Sequence, residues 1–429
     1  MTVDLLDVGK EAFLDRLKQL FLEKPDTSLF SFQKMCFDKF LSLGLPDKTK
    51  ENFQYVPLAR LYDEVFEGKQ QNLVEEIKEL LLPESSHSYF VFVDGVFAPE
   101  YSAIEGLPKQ VVVLPLSTAL AGSYSAYLKH RMQMLVQEES DPLALLNGAL
   151  YKEGLFLYVP PKVRVEVPIQ CIFLQTGKEV VCMPRVHFFV GAQGEVKVVS
   201  SVQGDAAFYN GFLDVSLEER AICHHTAHFP IDTRGGSFSF LRATLKKGSF
   251  FKSHLVTFGG YLQRYDYKVV LLGERAEAEL VGLSPLNGSN QAHVNVHVEH
   301  RAESCRSYQL FKNVLLSKSR SSFTGKIYVQ RVAQKTEAYQ LNKNLVLSDL
   351  AMVFSKPNLE IFADDVKASH GSTISQLEED QLLYLRARGI SLNTARALLT
   401  QGFCGEILDK IEIESLRSKL LLLSLACLK

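Results

Sequence analysis

The sequence predicts a mainly β protein whose β-rich core lies between a helical N-terminal region and a helical C-terminal region. Three observations support this fold class. Near both ends of the chain, apolar residues recur at three- and four-residue steps, the period of a helix with one buried face. Between residues 151 and 368, β-branched and aromatic segments follow one another without an intervening helical stretch. The 429 residues, 46% hydrophobic and 22% charged, are sufficient for two or three globular domains.

The N-terminal region, residues 1–150, is expected to be mostly helical. Its first segment carries four apolar residues on one helix face, namely Phe13, Leu17, Leu20 and Phe21. The segments YFVFV and QVVVLPL, which begin at Tyr89 and Gln110, favour strands instead. Helices are expected over Gly9 to Glu23, Phe30 to Leu43 and Val74 to Leu82, and again between Ala119 and Ala149.

The core, residues 151–368, alternates in the manner of strands. In AHVNVHVEH, Val294, Val296 and Val298 should face the interior, and the opposite face is expected to be the solvated side of a sheet. That opposite face carries His293, His297 and Glu299, for which proton transfer or metal binding is the functional alternative. The lack of crossover helices excludes a parallel sheet covered by helices, whereas a sandwich, a barrel and a β-solenoid all remain open.

The C-terminal region, residues 369–429, is expected to contain three helices. The sequence Ser375 to Glu378 matches a capping box, which would start a helix that ends at Gly389. A second helix should follow Ser391. The apolar face of this second helix is expected to comprise Leu392, Ala395, Leu398, Leu399, Phe403 and Ile407. The apolar face of the third helix is expected to comprise Leu416, Leu420 and Leu423.

Composition limits the partners and the compartment. A formal net charge of −2 argues against nucleic acid as the main partner, because binding to phosphates requires a basic excess. The seven cysteines include no C-x-x-C pair, which indicates reduced, buried thiols. Charged residues interrupt the apolar residues near the N-terminus, and no apolar run has the length of a membrane span. The chain is therefore expected to be cytoplasmic and to bind neither nucleic acid nor membranes.

Motifs for enzymatic chemistry are largely missing from the sequence. No phosphate-binding loop, G-x-S-x-G or H-E-x-x-H motif is present, so we expect no enzyme activity from the chain alone. The densest group of potential metal ligands is Cys223, His224, His225 and His228. On a strand, neighbouring residues point to opposite faces, so a polar strand surface is favoured over a metal site.

A second group of polar residues lies where the β-rich core meets the C-terminal helices. Asp364 and Asp365 are adjacent, so they suit a turn better than a pair of catalytic carboxylates, which must flank a substrate bond. Ser369 and His370 diverge for the same reason and do not form a catalytic pair. His370 can be a buried residue bonded to a turn, or a ligand presented at a subunit surface.

Three segments resemble the SufB/SufD family of iron–sulfur cluster assembly proteins. LEIFADDVKASHGSTISQLEEDQLLYLRARGIS, Leu359 to Ser391, resembles the family signature, and the match continues upstream over Phe323 to Asp349. The segment Gly44 to Tyr55 is similar to the family's GLP…E-x-W-x-Y segment, with Phe53 where tryptophan is usual.

Within the family the chain is more similar to the SufD branch than to the SufB branch. The form DDVK-x-SHG, with Gly371 after His370, is the SufD pattern. No cysteine lies between Lys335 and Lys356, where SufB carries a sulfur-accepting thiol. Ala368 stands where SufD chains usually have cysteine, so any thiol needed for cluster assembly would have to come from elsewhere.

The resemblance implies a right-handed parallel β-helix between the two helical regions, and a non-catalytic scaffold role in a SufBCD-type complex. The expected partners are a SufB-like paralogue and a SufC-like ABC-type ATPase. By carry-over, Tyr384, Arg386 and Arg388 would dock the ATPase. His370 would lie at the paralogue interface, where it could hold iron. No cofactor is expected on the chain alone, whereas iron or an iron–sulfur cluster could be held transiently in the complex.

Two alternatives to this function remain. The chain could be a stand-alone homodimer that binds iron or a cluster, with the edge of its β-helix paired to itself. It could also be a β-helix carbohydrate-active enzyme, although the sequence lacks an acidic cluster beyond Asp364 and Asp365. Polysaccharide cleavage by the pure protein would support the enzyme, and self-association without a paralogue would support the homodimer.

Overall fold

The structure is a computed structural model that describes residues 5–24, 28–62, 77–177, 180–204, 206–229 and 233–428. The first residues of the helix expected over Val74 to Leu82 lie outside these ranges. No helix in the described part of the chain is both long enough and apolar enough to cross a membrane.

The β-rich core is a parallel β-helix built from two long sheets. Successive strands alternate between the sheets, and nearly all neighbours are parallel and in register. The sequence pattern left a sandwich, a barrel and a β-solenoid open, and the structure is the β-solenoid. This confirms the parallel β-helix that the family resemblance implies.

The strands begin before the core boundary suggested by the sequence and continue past its end. They are β1 Tyr89–Val93, β2 Val96–Phe97, β3 Val112–Pro115, β4 Leu155–Val159, β5 Ile169–Gln175, β6 Val181–Cys182, β7 Arg185–Val190, β8 Glu195–Gly204, β9 Phe208–Leu217, β10 Ile222–Phe229, β11 Thr233–Leu245, β12 Phe250–Thr257, β13 Gly260–Leu271, β14 Glu277–Leu286, β15 Gln291–His300, β16 Arg306–Leu315, β17 Arg320–Val329, β18 Thr336–Val346, β19 Met352–Ile361 and β20 Val366–Ser375. Sheet A has the order β2-β1-β5-β8-β10-β12-β14-β16-β18-β20, and sheet B has the order β19-β17-β15-β13-β11-β9-β7-β4-β3, with β6 beside β9.

The interior of the β-helix is filled by the inward faces of both sheets. Val294, Val296 and Val298 of β15 are buried there, as the alternation of AHVNVHVEH predicts. They pack in one apolar cluster with residues of sheet A such as Val198 and Leu280. Because each strand stacks on the next at the ordinary strand spacing, one inward residue per strand forms a continuous row along the axis of the β-helix.

The N-terminal helices cover the outer face of sheet B. Phe13, Leu17 and Phe21 are buried as expected, and their cluster includes outward residues of sheet B such as Phe208 and Phe238. The helices are α1 Leu5–Leu22, α2 Phe30–Leu43, α3 Ala59–Tyr62, α4 Ile77–Leu80, α5 Leu116–Ala121, α6 Ser125–Glu138 and α7 Pro142–Leu150, with short 3₁₀ turns at Glu51–Phe53, Pro83–Ser85 and Pro99–Tyr101.

Phe53 lies between the N-terminal region and sheet B. Its side chain is only 1% exposed, and its ring centroid lies 4.3 Å from the guanidinium carbon of Arg264 on β13. A phenylalanine ring is large enough to cover a buried guanidinium, and its face attracts the cation. Phe53 therefore occupies a buried aromatic position between the two regions.

The C-terminal helices are α8 Glu379–Ala387, α9 Leu392–Leu408 and α10 Glu414–Cys427. Ala395 and Ile407 of α9 and Leu416 and Leu420 of α10 are buried, as their spacing predicts. All but Ala395 belong to the cluster that covers the outer face of sheet A. Leu398, which belongs to the expected apolar face of α9, is 46% exposed, so that face is only partly covered.

Lys312 of β16 fixes α9 on sheet A. Its ammonium donates to the carbonyl of Phe403 at 2.7 Å, lies 2.5 Å from the Glu406 carboxylate and sits 4.0 Å from the centroid of the Phe403 ring. Lys312 is only 2% exposed, so this charge is stabilised almost wholly by α9.

The predicted capping box is wrong. Ser375 is the last residue of β20, where it pairs with Leu345 of β18, and α8 begins four residues later at Glu379. The N-cap is Glu378, whose side chain makes no capping hydrogen bond. Strand pairing therefore prevails over the local capping motif. The prediction for the second helix is correct, since the Ser391 hydroxyl accepts a hydrogen bond from the Thr394 amide at 3.2 Å.

Candidate functional site

His370 lies on β20, the last strand of sheet A, at the C-terminal end of the β-helix. Val366 and Ala368 of the same strand pack against the interior cluster at this end. Because side chains alternate along a strand, His370 lies on the same inward side as these two residues. Its register partner on β18 is the buried Gln340. His370 itself is exposed, because no further strand covers it within the described residues.

Two buried amides lie beneath His370 inside the β-helix. The register places Gln309, Gln340 and His370 opposite one another on β16, β18 and β20. Gln340 Nε2 donates to Gln309 Oε1 at 2.8 Å, and the two side chains are 2% and 0% exposed. We call Gln309 and Gln340 the amide ladder. Sequence reasoning missed it, and the only signal is the 31-residue separation between the two glutamines.

The end of the β-helix beside His370 is open. Within the described chain β20 pairs only with β18, and β19 pairs only with β17, so each strand has one unpaired edge. The interior residues Leu359 and Ile361 of β19 are only partly buried, because no further coil covers them. Unpaired strand edges of this kind are templates for pairing with another chain.

The thiols of the chain lie away from this open end. Six of the seven cysteines are buried and Cys427 is half-buried, and none lies on β19 or β20. Burial raises the pKa of Cys223 to about 12 and that of Cys305 to about 11, which disfavours their thiolates. Ala368 pairs with Ala338 of β18 in a small-residue row, so the structure brings no thiol to His370.

Asp364 and Asp365 lie in the turn between β19 and β20. The Asp365 backbone N–H donates to Gln334 Oε1 at 2.9 Å, and its carbonyl accepts from the Lys335 N–H at 2.6 Å. Both carboxylates are exposed, and this turn connects the two edge strands. The turn role that the sequence favours is confirmed.

Tyr384, Arg386 and Arg388 lie on or just after α8. None of the nine residues of α8 is buried, and the exposed fractions of Leu383 and Tyr384 are 66% and 58%. The guanidinium of Arg388 lies 4.5 Å from the centroid of the Tyr384 ring. Together these side chains form an exposed surface of apolar, aromatic and cationic groups, which we call the α8 surface.

The histidines of β10 do not converge. Cys223 and His225 point into the β-helix, where His225 bonds to the hydroxyls of Ser200 and Ser253 at 3.0 Å each. His224 points outward to Glu412, at 2.9 Å. His228 also faces outward and bonds to the Ser201 hydroxyl at 2.7 Å. In the described part of the chain, no group of three or more metal-ligating side chains is arranged to hold an ion.

The expectation that the outward face of β15 is solvated is wrong at His293. This side chain is 3% exposed and bonds to the Ser322 hydroxyl at 2.8 Å. His297 and Glu299 are half-buried, and Glu299 accepts hydrogen bonds from Arg301 and Gln330. Alternation identifies the outward face of a strand, but it cannot tell what packs onto that face.

Acid is expected to destabilise the fold. Burial lowers the pKa of His225, His228 and His293 to about 3, from an ordinary value of 6.5. Between these values the unfolded chain binds protons that the folded chain excludes, so the free energy of unfolding falls as the pH drops below about 6.5. Urea unfolding at several pH values from about 7.5 to 5 measures this slope. The variant His225→Gln should have a shallower slope, and an unfolding midpoint that does not vary with pH would contradict the expectation.

Comparison with known proteins agrees with this architecture. The family model described as "SUF system FeS cluster assembly, SufBD core domain" matches residues 173–403. The model described as "SufBD protein N-terminal region" matches residues 13–171. The boundary between the two matches lies within β5, one of the first strands of the β-helix.

Several curated relatives match along most of their length. An iron–sulfur cluster assembly SufBD family protein of Synechocystis sp. is 30% identical, over 96% of this chain and 94% of the relative. The iron–sulfur cluster assembly protein SufD of Escherichia coli is 26% identical, over 89% of each chain. The chloroplastic protein ABCI7 of Arabidopsis thaliana is 29% identical, over 89% of this chain and 82% of the relative. The chain therefore belongs to the SufBD family of iron–sulfur cluster assembly proteins.

Proposed function

We propose that the chain is a SufD-like scaffold subunit of a SufBCD-type complex and has no catalytic activity of its own. In this role it pairs with a SufB-like paralogue, docks an ABC-type ATPase and works in the cytoplasm. The observation that carries the proposal is the position of His370, which lies on an unpaired edge strand at the open end of the β-helix. The name of the SufD relative and the family match support the same role.

The paralogue is proposed to cover the open end. The unpaired N–H and C=O groups of β19 and β20 offer backbone hydrogen bonds to strands of a second β-helix. The partly buried Leu359, Ile361 and Val366 offer apolar area that such a partner would remove from water. A second β-helix therefore fits this end in both its hydrogen-bonding pattern and its polarity.

The cargo at this interface is proposed to be iron or a nascent cluster. A neutral imidazole is a suitable ligand for iron, and His370 is accessible from the open end. No thiol of the described chain lies on β19 or β20, so thiolate ligands would come from the paralogue. A site completed by two chains would form only in the assembled complex.

The variant His370→Ala is expected to fold and assemble normally but to yield much less cluster. The side chain is exposed at the end of the β-helix and leaves no buried cavity when truncated, so the unfolding midpoint should change little. Loss of one ligand should reduce the cluster yield about tenfold or more. Anaerobic reconstitution with the paralogue and the ATPase, followed by visible absorption, measures the yield. The control is Ser372→Ala, two residues further on the same strand face. A wild-type yield from His370→Ala would remove this residue from the site.

A homodimer that binds iron is the second candidate function. The unpaired edge of β20 favours it, because a strand edge can pair with its own copy around a twofold axis. Analytical ultracentrifugation with and without the paralogue separates the two candidates. A paralogue that displaces the homodimer supports the scaffold, whereas a homodimer that persists supports the stand-alone protein.

A further inference from the structure

The amide ladder ends in a buried acceptor that has no hydrogen-bond partner. Gln340 Nε2 donates to Gln309 Oε1, but Gln340 Oε1 is buried and unpartnered. Gln309 Nε2 is unpartnered as well, and the residue opposite Gln309 on β14 is the apolar Leu280. A buried polar atom without a partner is destabilising, so its retention calls for an explanation.

The residue that follows Gln340 in the row is His370. The two are register partners on adjacent parallel strands, and both lie on the inward side. The His370 imidazole does not contact this oxygen in the structure. Neighbouring strands are about 4.8 Å apart, so rotation of the exposed His370 side chain about its χ angles can bring an imidazole N–H to the amide oxygen on the next strand. His370 is thus the nearest donor along the row that can satisfy Gln340 Oε1.

Gly325 of β17 leaves room for the Gln340 amide. A Cβ atom at position 325 would lie 2.3 Å from Gln340 Nε2 and 2.8 Å from its Oε1. No side chain could occupy that position while the amide keeps its place. The amide is therefore held between the Gly325 backbone and Gln309, so the direction of its oxygen is restricted.

We propose that Gln340 is a positioning residue for His370, whose imidazole N–H it accepts through its buried side-chain oxygen. This hydrogen bond fixes which ring nitrogen carries the proton and leaves the other nitrogen free to act as the ligand at the open end. The inference rests on the proposed function for the role of His370 as a ligand, whereas the hydrogen bond itself does not depend on it.

Three variants test the hydrogen bond. Gln340→Leu removes the acceptor, and Gly325→Ala keeps Gln340 but forces its amide to move. Gln340→Glu restores an acceptor, and the free Nε2 of Gln309 can turn to stabilise it. If Gln340→Leu fails to fold, Gly325→Ala still tests the hydrogen bond, because it displaces the Gln340 amide and leaves both glutamines in the chain.

The first measurement is NMR of the chain labelled with ¹⁵N-histidine, alone and bound to the paralogue. A hydrogen-bonded imidazole N–H exchanges slowly and is observable, whereas an exposed one exchanges too fast. The His370 N–H signal is expected in the wild type and in Gln340→Glu, and it should be lost in Gln340→Leu and Gly325→Ala. A signal that persists in the latter two, or is missing from the wild type in both states, overturns the proposal.

The second measurement is the affinity of the assembled complex for Fe²⁺ under anaerobic conditions. Gln340→Leu is expected to lower it about tenfold, the usual effect of removing the partner of a ligating histidine. Gel filtration shows whether the complex forms, and this separates failure of the positioning role of Gln340 from failure of the proposed scaffold function. If the complex assembles but Gln340→Leu binds Fe²⁺ as the wild type does, the positioning role is wrong and the scaffold stands. If the wild-type chain forms no complex, the proposed scaffold function is wrong. The NMR signal of the isolated chain then decides by itself whether His370 donates to Gln340.

Discussion

Replacing Arg242 by methionine is expected to lower the free energy of unfolding by about 3–5 kcal/mol, because it leaves buried carboxylates without their cation. Arg242 of β11 forms two hydrogen bonds to the Glu139 carboxylate, at 2.7 and 3.1 Å, and one to the Asp266 carboxylate of β13 at 2.8 Å. The three side chains are each less than 10% exposed. Glu139 follows α6, so this ion pair joins the N-terminal helices to the outer face of sheet B.

The network extends beyond this pair. Arg264 lies 2.8 Å from Asp266 and 2.9 Å from Asp141, and Asn295 donates to Asp266 at 2.6 Å. Arg242 and Arg264 hold the pKa of Asp266 below its usual value in spite of burial. Loss of one guanidinium therefore affects several carboxylates at once, which places the expected effect at the upper end for a single substitution.

Urea unfolding measures the effect, and Lys246→Met is the matched control. Lys246 follows the same strand and pairs with Glu218, but its side chain is 54% exposed, so its loss should change the free energy of unfolding by less than about 1 kcal/mol. Adding Glu139→Gln to Arg242→Met should recover part of the stability, because it removes an uncompensated charge. Equal effects of Arg242→Met and Lys246→Met would contradict the role of the buried network.

The proposed docking of an ABC-type ATPase on the α8 surface predicts that Leu383→Asp weakens this binding at least tenfold. Leu383 is 66% exposed, next to the exposed Tyr384, so a partner can cover it, and a charge there would have to be desolvated on binding. Tyr384→Ala and Arg388→Glu should weaken binding as well, because the Arg388 guanidinium lies on the Tyr384 ring and both side chains belong to the α8 surface. Calorimetric titration of the purified ATPase measures the change.

The matched control is Leu422→Asp on α10. Leu422 is 68% exposed but lies on another helix, so its substitution should leave the affinity unchanged. Point substitutions are sharper than deletion of everything after Ser375, because deletion would also expose the apolar outer face of sheet A beneath α9 and α10. If Leu422→Asp weakens binding and Leu383→Asp does not, the docking surface lies elsewhere on the C-terminal helices.

Local patterns predicted the faces and the order of the elements well. The valines of β15 point inward, and the apolar residues Leu416 and Leu420 of α10 are buried, because the period of apolar residues identifies the side of an element that packs. The capping box failed because Ser375 is paired with Leu345, a contact made with a strand some thirty residues earlier. Pairing between distant strands is not encoded in a four-residue motif.

The site was located only in part from the sequence. The family resemblance directed attention to His370, but the amide beneath it depends on the register of β18 and β20. Gln309 and Gln340 look like ordinary polar strand residues in the sequence. They become an interior pair only when coils of unequal length bring them together, and unequal coils hide the repeat from a search for a fixed period.

The most direct test of the scaffold is anaerobic co-purification of the tagged chain from its native organism, followed by mass spectrometry of the bound proteins. The proposal predicts recovery of a SufB-like paralogue and an ABC-type ATPase, with Leu383→Asp losing the ATPase and retaining the paralogue. Recovery of the chain alone, as a monomer or a homodimer, would contradict the scaffold and favour the stand-alone iron-binding protein.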